Sequence, residues 1–326
     1  MTKIEWADET WNPIVGCSKI SAGCDNCYAE KQAHRNFECL CGLHAKRPDM
    51  KTDALDAYAE VMQWDSSVRM IESALEKPLR WKKPRRIFVC SMGDIFHESV
   101  PFEWVDKVMA VIALCPQHTF QILTKRADRM KEYFGDIEDR TEKIANSVMY
   151  PPFGVWNNPD LLYDGLFDEF RNYRLDPLPN LWLGVTAENQ EMADKRIPLL
   201  LQTPAAVRFV SCEPLLGKVD LTDITRKESN WEHHFTALRL EDIEIEDDTD
   251  FNGANVGWVI VGCESGANRR PCKLEWVRSI VNQCSVAGVP VLVKQLDIGG
   301  KVSKANRGMA DWPEDLKIQQ YPGGGE

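Results

Sequence analysis

Six short apolar runs, spread along the chain, restrict its possible folds more than any other feature of the sequence. Each ends in a polar or glycine-bearing motif, and together they cover residues 86–90, 119–123, 181–185, 207–210, 257–261 and 290–293. Near-continuous apolar strands are typical of a parallel sheet that is covered on both faces. A further strand is predicted at residues 12–15.

Segments with helical periodicity separate these runs. Residues 102–115 carry an apolar stripe, and residues 191–201 and 274–287 follow the same pattern. Strands that alternate with helices predict right-handed βαβ units. We therefore predict an α/β fold, a partial (β/α) barrel of about six to seven parallel strands. We expect one domain over residues 1–326, with insertions at about 37–77, 131–178 and 218–255.

Charge and hydropathy argue against two classes of protein, those that coat duplex DNA and those that are secreted or span a membrane. The chain has 39 Lys and Arg against 50 Asp and Glu, and a net charge of −11 argues against a protein that coats duplex DNA. The N-terminus has no apolar stretch like a signal peptide, and the apolar runs are shorter than the ~20 residues of a membrane helix. We expect a cytoplasmic protein with no membrane partner.

Two stretches concentrate charge of one sign. Residues 241–250 hold seven acids and no base, a pattern typical of a solvated loop. Residues 77–86 hold six cations and no acid, and form either a solvated approach to the next strand or a phosphate-contacting edge. A strand of about six residues would separate this group from Asp94 by roughly 20 Å. We therefore expect it at the opposite rim of the barrel.

Eleven cysteines are many for a chain without a secretory signal, and they favour metal or redox chemistry over disulfides. Cys17, Cys24 and Cys27 form a C-x6-C-x2-C array in a loop that also contains two glycines. Three thiolates leave one metal position open to a ligand.

A structural zinc site would need a fourth ligand beside these three cysteines. His34, Cys39 or Cys41 could supply it. Cys39 and Cys41 are otherwise interpreted as incidental thiols in an inserted loop.

Polar side chains follow the predicted strands. In folds of this class the chemistry lies at the carboxyl ends of the strands. The residues at these positions, which we expect to share a cavity, are Asp94, Lys125, Glu188, Asn189, Glu213, Glu264 and Lys294.

A three-cysteine loop after the first strand of a partial barrel resembles the radical S-adenosylmethionine (SAM) superfamily, whose usual spacing is C-x3-C-x2-C. The longer gap here is similar to that of a phage-associated branch, itself distantly like spore photoproduct lyase. The motifs that match this branch, in order, are TWNP at 10–13, GCDNCYAE at 23–30, SMGD at 91–94, LTKR at 123–126, GVTAEN at 184–189, SCEPLLG at 211–217 and GCESG at 262–266.

The resemblance implies a [4Fe–4S] cluster held by Cys17, Cys24 and Cys27. The open iron would bind SAM, and one electron, from a donor such as flavodoxin or ferredoxin, would cleave SAM to methionine and a 5′-deoxyadenosyl radical. That radical would take a hydrogen atom from the substrate. A monomer in the cytoplasm, of the host cell if phage-encoded, is expected.

The resemblance also assigns SAM-binding positions. Met92, Gly93 and Asp94 match the motif that receives the SAM amino group, with a helix cap as the other interpretation of Asp94. The positions that match strand ends meeting the carboxylate, ribose or adenine are Thr124, Lys125, Arg126, Glu188 and Asn189.

Three further residues are candidate catalytic residues. Glu213 and Glu264 could orient substrate or accept a proton, and Cys263 could donate a hydrogen atom. Capping or packing is the other interpretation of each.

The substrate implied by the resemblance is a nucleic-acid base, such as an amino-acid-modified thymidine that is rearranged in phage DNA, or a nucleotide. A base inside a duplex would have to be flipped out to react. A zinc-stabilised nucleic-acid-binding protein without catalysis is the main alternative. A metal-dependent hydrolase is a weaker one, because the strand ends lack clustered histidines.

Overall fold

The computed structural model describes residues 4–46, 53–135, 140–141, 143–144, 178–228, 231–238, 253–266 and 268–324. Its elements in chain order are β1 (Glu9–Trp11), β2 (Ile14–Val15), α1 (Tyr28–Lys46), α2 (Asp53–Val61), β3 (Arg69–Met70), α3 (Glu72–Leu75), β4 (Arg86–Val89), α4 (Phe102–Ala113), β5 (Thr119–Thr124), α5 (Ala127–Gly135), β6 (Leu181–Thr186), α6 (Gln190–Leu201), β7 (Val207–Cys212), β8 (Ile224–Glu228), β9 (Trp231–Phe235), β10 (Trp258–Gly262), α7 (Leu274–Val286), β11 (Val291–Ile298) and β12 (Lys301–Lys304).

A curled, half-barrel sheet of eight mostly parallel strands organises the described residues. Its strand order is β1-β4-β5-β6-β7-β10-β11-β12, and only the last pair is antiparallel. The six apolar runs all lie in this sheet, so the predicted α/β class and the predicted strands are confirmed. Helices α4, α6 and α7 likewise lie where the apolar stripes predict them.

The first strand of the sheet is not where the sequence predicts it. Strand β1 pairs with β4 through residues before Asn12, whereas Ile14 and Val15 pair with β3 outside the main sheet. Pro13 has no N–H to continue a ladder, so the chain leaves the sheet after Trp11. The Asn12 side chain instead accepts a hydrogen bond from the Met92 amide (3.0 Å).

Both faces of the sheet are buried, which explains the nearly continuous apolar strands. The larger core cluster lies under the helices, and a second layer of aromatic rings includes Trp6, Phe88, Phe209 and Trp258. A methyl group at Gly184 would lie 2.5 Å from the Phe209 ring, so the missing side chain makes room for it. Burial of one such side chain contributes about 1.5–3 kcal/mol.

The predicted insertions lie partly outside the described residues. The segment 37–77 contains the end of α1, then α2, β3 and α3. Cys39 and Cys41 lie in helix α1, so their placement in a loop is wrong. Most of 131–178 and the acidic stretch 241–250 lie outside the described residues, and β8 pairs with β9 as a hairpin within 218–255.

None of the described helices has the length and apolar character that crossing a membrane requires.

Candidate metal and active site

The cysteine loop lies across the carboxyl ends of several strands. The Gly16 amide donates to the Met92 carbonyl (3.0 Å), after β4. The Gly23 amide donates to Glu188 Oε1 (3.3 Å), after β6. The Asn26 side chain donates to Glu264 Oε2 (2.9 Å), after β10. The structure therefore brings the cysteine motif together with three of the strand-end motifs.

The three cysteines of the loop differ in exposure. Cys24 is buried, and Cys17 and Cys27 are half-buried. A short 3₁₀ turn, Ala22–Cys24, ends at the second cysteine, and the Cys27 amide donates to the Cys24 carbonyl (3.2 Å). Burial and the neighbouring Asp94 carboxylate raise the pKa of the Cys17 thiol to about 12, against the opposing effect of Arg126.

The candidate fourth ligands of a zinc site lie along helix α1 rather than in the cysteine loop. Thiolates suit both zinc and iron–sulfur clusters. Cys39 lies 12 residues after Cys27, which corresponds to about 18 Å along α1 at ~1.5 Å per residue, and Cys39, Cys41 and His34 are all exposed. Among the described residues, which include the three cysteines of the loop, no group of three or more His, Cys, Asp or Glu side chains is placed to hold a metal ion.

Asp94 is buried and fully engaged with protein donors. Thr124 Oγ1 donates to both carboxylate oxygens (2.7 and 2.9 Å), and the Phe96 and Lys125 amides donate at 3.0 and 3.2 Å. Arg126 Nη1 adds a fifth bond at 3.2 Å. The helix-cap interpretation is wrong, because the next helix begins at Phe102 and its N-cap is Pro101.

The two other residues of the β4 motif are set by packing. Met92 is buried in a small cluster with Val15 and Ala33. Gly93 forms a parallel bridge with Gly16, which brings the backbone of the motif against the cysteine loop.

The Lys125 ammonium lies at the same edge. Its side chain is half-buried and passes close to Gly23, where an added methyl group would lie 3.3 Å from Lys125 Cε. Within the described part of the chain this ammonium makes no hydrogen bond or ion pair, although it lowers the pKa of Glu188 electrostatically. It is therefore available to an anionic ligand.

Glu188 forms a buried ion pair that the sequence does not reveal. Arg196 Nη1 lies 2.7 Å from Glu188 Oε2, and both side chains are buried. Burial alone would raise the pKa of the Glu188 carboxyl, but Arg196, Ser21 and Lys125 together hold it below its usual value. Next to it, Asn189 caps α6 by accepting from the Met192 amide (3.0 Å).

Glu213, directly after β7, pairs with Lys294. Lys294 lies within β11, so the prediction that it follows this strand is wrong, because β11 continues to Ile298. Lys294 Nζ lies 2.6 and 2.9 Å from the two carboxylate oxygens, and Gln295 Nε2 donates to one of them at 3.2 Å. The side chains are 16% and 17% exposed, so a ligand at this edge can reach them. Gln295 Oε1 is buried without a hydrogen-bond partner in the described residues.

Glu264 fastens the cysteine loop rather than facing open space. Besides Asn26, it accepts from the Arg270 amide (2.8 Å) and guanidinium. Arg270 also donates to Asp25 Oδ2 (3.0 Å) and to the Ala22 carbonyl (2.8 Å). Although burial would raise it, the Arg270 and Asn26 hydrogen bonds lower the pKa of Glu264.

Cys263 is fully buried in the larger core cluster. Burial, with smaller effects from Cys272 and Glu213, raises the pKa of its thiol to about 12. The structure thus encloses in protein the thiol that the sequence offers as a hydrogen-atom donor.

Several site residues were missed by sequence reasoning. Arg196, Arg270, His97 and Ser18 all contact predicted site residues or their partners. Nothing in their spacing indicates this, except that Arg196 follows Glu188 by two helical turns.

Comparison with known protein families gives a match over nearly the whole chain. Residues 1–316 match the family model described as protein of unknown function (DUF5131). No curated protein and no solved structure matches the chain. Because the match covers nearly its whole length, the chain belongs to the DUF5131 family.

Proposed function

We propose that this chain is a radical SAM enzyme, of isomerase or lyase type, that binds a [4Fe–4S] cluster through Cys17, Cys24 and Cys27. One observation carries the proposal: the three-cysteine loop lies across the carboxyl ends of a curled parallel sheet, hydrogen-bonded to the ends of β4, β6 and β10. In such a fold this edge is where ligands bind.

The bound cluster would supply the electron that cleaves SAM, and the chain's own residues would bind and orient the ligands. Lys125 has no ion pair in the described part of the chain and suits the SAM carboxylate. A half-buried ammonium of this kind can form a charge-assisted hydrogen bond to an anion without first breaking an ion pair in the protein. The Glu213–Lys294 pair suits orientation of a polar substrate. Gly23 and Gly93 leave space for the close approach of loop and strands.

A modified thymidine in DNA, or a nucleotide, is the proposed substrate class. Its support is the resemblance of the motifs together with a site edge that offers both a cation and an anion at Lys294 and Glu213. A duplex substrate would need its base flipped out to reach this edge. We propose a monomer that accepts its electron from flavodoxin or ferredoxin.

Anaerobic purification followed by reconstitution with iron and sulfide tests this function. We expect a brown protein with about four irons per chain that converts SAM to 5′-deoxyadenosine when a reductant is added. The triple Cys17→Ala, Cys24→Ala, Cys27→Ala variant is the control and should remain colourless. A colourless wild-type protein with one stoichiometric zinc would instead support the zinc-stabilised binding protein.

A further inference from the structure

One buried arginine joins the cysteine loop to the ends of two strands. The Arg126 side chain is 2% exposed. Its Nε donates to Glu98 Oε2 (2.8 Å), and Nη1 donates to Cys17 Sγ (3.4 Å) and to Asp94 Oδ2 (3.2 Å). Nη2 donates to the carbonyl (3.2 Å) and the hydroxyl (2.8 Å) of Ser18.

These contacts use the whole donor capacity of the guanidinium. An arginine has five N–H donors and no acceptor, and the five acceptors here account for all of them. No N–H remains for a SAM carboxylate or ribose. Arg126 therefore differs from its neighbour Lys125, whose ammonium is not paired in the described part of the chain.

The partners of Arg126 are themselves held in place. Asp94 is fixed by Thr124 and by two backbone amides, and the Arg126 amide donates to Thr124 Oγ1 (2.9 Å). The side chains of Asp94 and Thr124 thus orient the guanidinium toward the cysteine loop. Their position in the β4 and β5 motifs is explained without any contact to a cofactor.

Ser18 is fixed from a second side by His97, which is buried. The Ser99 amide donates to His97 Nδ1 (3.0 Å), so the ring hydrogen of the neutral histidine is assigned to Nε2. Nε2 lies 2.9 Å from Ser18 Oγ and donates to it. The hydroxyl oxygen that follows Cys17 in the chain accordingly accepts two hydrogen bonds.

The three cysteines differ in the hydrogen bonds that their sulfur atoms receive. Among the contacts of the described residues, Cys17 alone of the three receives a hydrogen bond from a cation. Cys24 Sγ lies 4.0 Å from Ser21 Oγ, and either atom of that pair could be the donor. Bonds to sulfur from a charged donor are stronger than those from neutral groups. Donors at the sulfur ligands of a cluster raise its reduction potential, because they stabilise the added negative charge.

We infer that Arg126 is a positioning residue that acts through Cys17, and that Asp94 and Thr124 serve to orient it. The inference rests on the proposed function for its redox part: with the cluster bound, Arg126 raises the reduction potential. Its structural part concerns the protein alone, since the same guanidinium anchors residues 17 and 18 to the sheet.

The test compares Arg126→Lys and Arg126→Gln with wild type and with Arg140→Lys. Arg140 is a matched control because it is also largely buried and paired with an aspartate, Asp106, and it has no hydrogen bond to a cysteine among the described residues. Each protein is reconstituted and titrated potentiometrically, with the reduced cluster followed by electron paramagnetic resonance. We expect the reduction potential of the cluster to be more negative in both Arg126 variants than in wild type, with the larger shift in Arg126→Gln. The potential of Arg140→Lys should equal that of wild type. The SAM dissociation constant should change by less than about threefold.

A second measurement uses the protein without metal. Hydrogen exchange of amides 16–27 should accelerate by about tenfold in Arg126→Gln, because the loop loses its anchor and opens locally. Unchanged exchange, or an unchanged potential in a wild-type protein that carries its cluster, would overturn the inference. A SAM affinity lost with the potential preserved would also overturn it and make Arg126 a SAM ligand. Failure of the wild type to take up iron would count against the proposed function only, and exchange would still decide the anchoring role.

Discussion

The backbones of Gly16 and Gly93 pass directly against each other. A methyl group built on Gly93 would lie 2.9 Å from the Gly16 carbonyl oxygen, closer than side-chain carbons come to such atoms. The Gly16 amide meanwhile donates to the Met92 carbonyl (3.0 Å). Two glycines from distant parts of the chain therefore set how closely the cysteine loop approaches the end of β4.

Gly93→Ala is expected to displace the cysteine loop. The added methyl group meets backbone oxygens that cannot rotate away, so we expect a loss of about 1–3 kcal/mol of unfolding free energy together with reduced iron uptake. Gly42→Ala is the control, because Gly42 lies in α1 with nothing near its Cβ position; it should be neutral or stabilise by up to about 1 kcal/mol. Urea unfolding and iron analysis measure both effects. Wild-type iron content in Gly93→Ala would contradict the close-packing argument.

Substitution of single cysteines should separate ligands from bystanders. Cys17→Ala, Cys24→Ala and Cys27→Ala should each abolish the intact cluster, since only these three share the loop at the sheet edge. Cys39→Ala and Cys41→Ala should leave iron content and SAM cleavage unchanged, because both side chains are exposed on α1. Iron and sulfide determination checks this set. Loss of the cluster in Cys39→Ala as complete as in Cys24→Ala would refute the ligand assignment.

Lys125→Met should weaken SAM binding while retaining the cluster. Loss of a charge-assisted bond costs about 1.5–3 kcal/mol, or roughly ten- to a hundredfold in affinity. Lys131→Met is the control, because the exposed Lys131 ammonium on α5 already donates to Gln202 Oε1 (2.6 Å). Equilibrium binding of SAM to the reconstituted proteins provides the measurement. Equal dissociation constants for the two variants would remove Lys125 from the cofactor site.

The Glu188–Arg196 pair should make stability depend on pH in the acid range. The folded pKa of Glu188 lies below its usual value of 4.5, so its contribution is present above that pH and is lost as pH falls through the folded pKa. Glu188→Gln leaves Arg196 buried without a counter-ion and should cost about 3 kcal/mol at pH 7. The difference between the variant and wild type in urea unfolding should shrink toward pH 4. A constant difference from pH 7 to pH 4 would argue against the pair.

Lys82 and Lys83 should contribute little to turnover of a short substrate. Both are exposed and come directly before the amino end of β4, whereas the cysteine loop lies at the carboxyl end of that strand. Lys82→Gln with Lys83→Gln should leave turnover of a short oligonucleotide nearly intact and lower the salt slope of long-DNA binding by at most about 2. Lys301→Gln with Lys304→Gln is the comparison, because β12 follows the carboxyl end of β11. A larger turnover loss in the Lys82 and Lys83 variant would show that the basic run belongs to the active-site edge.

Local pattern was sufficient for six strands of the sheet and insufficient at its first and last strands, β1 and β12. The six apolar runs predict their strands because burial on both faces leaves a continuous apolar signature. Ile14 and Val15 are as apolar as the residues of the six runs, yet they pair with β3 instead of joining the main sheet. Pro13 and the distant partner strand β3 decide that Ile14 and Val15 leave the main sheet. Of these two causes, only Pro13 can be recognised from the neighbouring sequence.

The candidate site was predicted in part. The motifs at strand ends do converge on the cysteine loop, as expected for parallel strands whose carboxyl ends share an edge. The structure adds protein partners that the sequence did not predict: Asp94 accepts hydrogen bonds from Thr124 and Arg126, Asn189 caps α6, and Glu264 accepts from Arg270. A carboxylate at a strand end has the same local sequence whether it binds a ligand or an arginine.

By itself the sequence determined the α/β class, the order of the buried strands and the grouping of three cysteines in one glycine-bearing loop, because each depends on residues close together in the chain. Tertiary structure alone decided which polar groups are already paired and which remain available. Cys17 meets Arg126, 109 residues away, and Asn26 meets Glu264 across 238 residues. The physical reason is that a buried charge is stabilised by whichever partner the folded sheet edge places within hydrogen-bond distance, and local sequence carries no record of that distance.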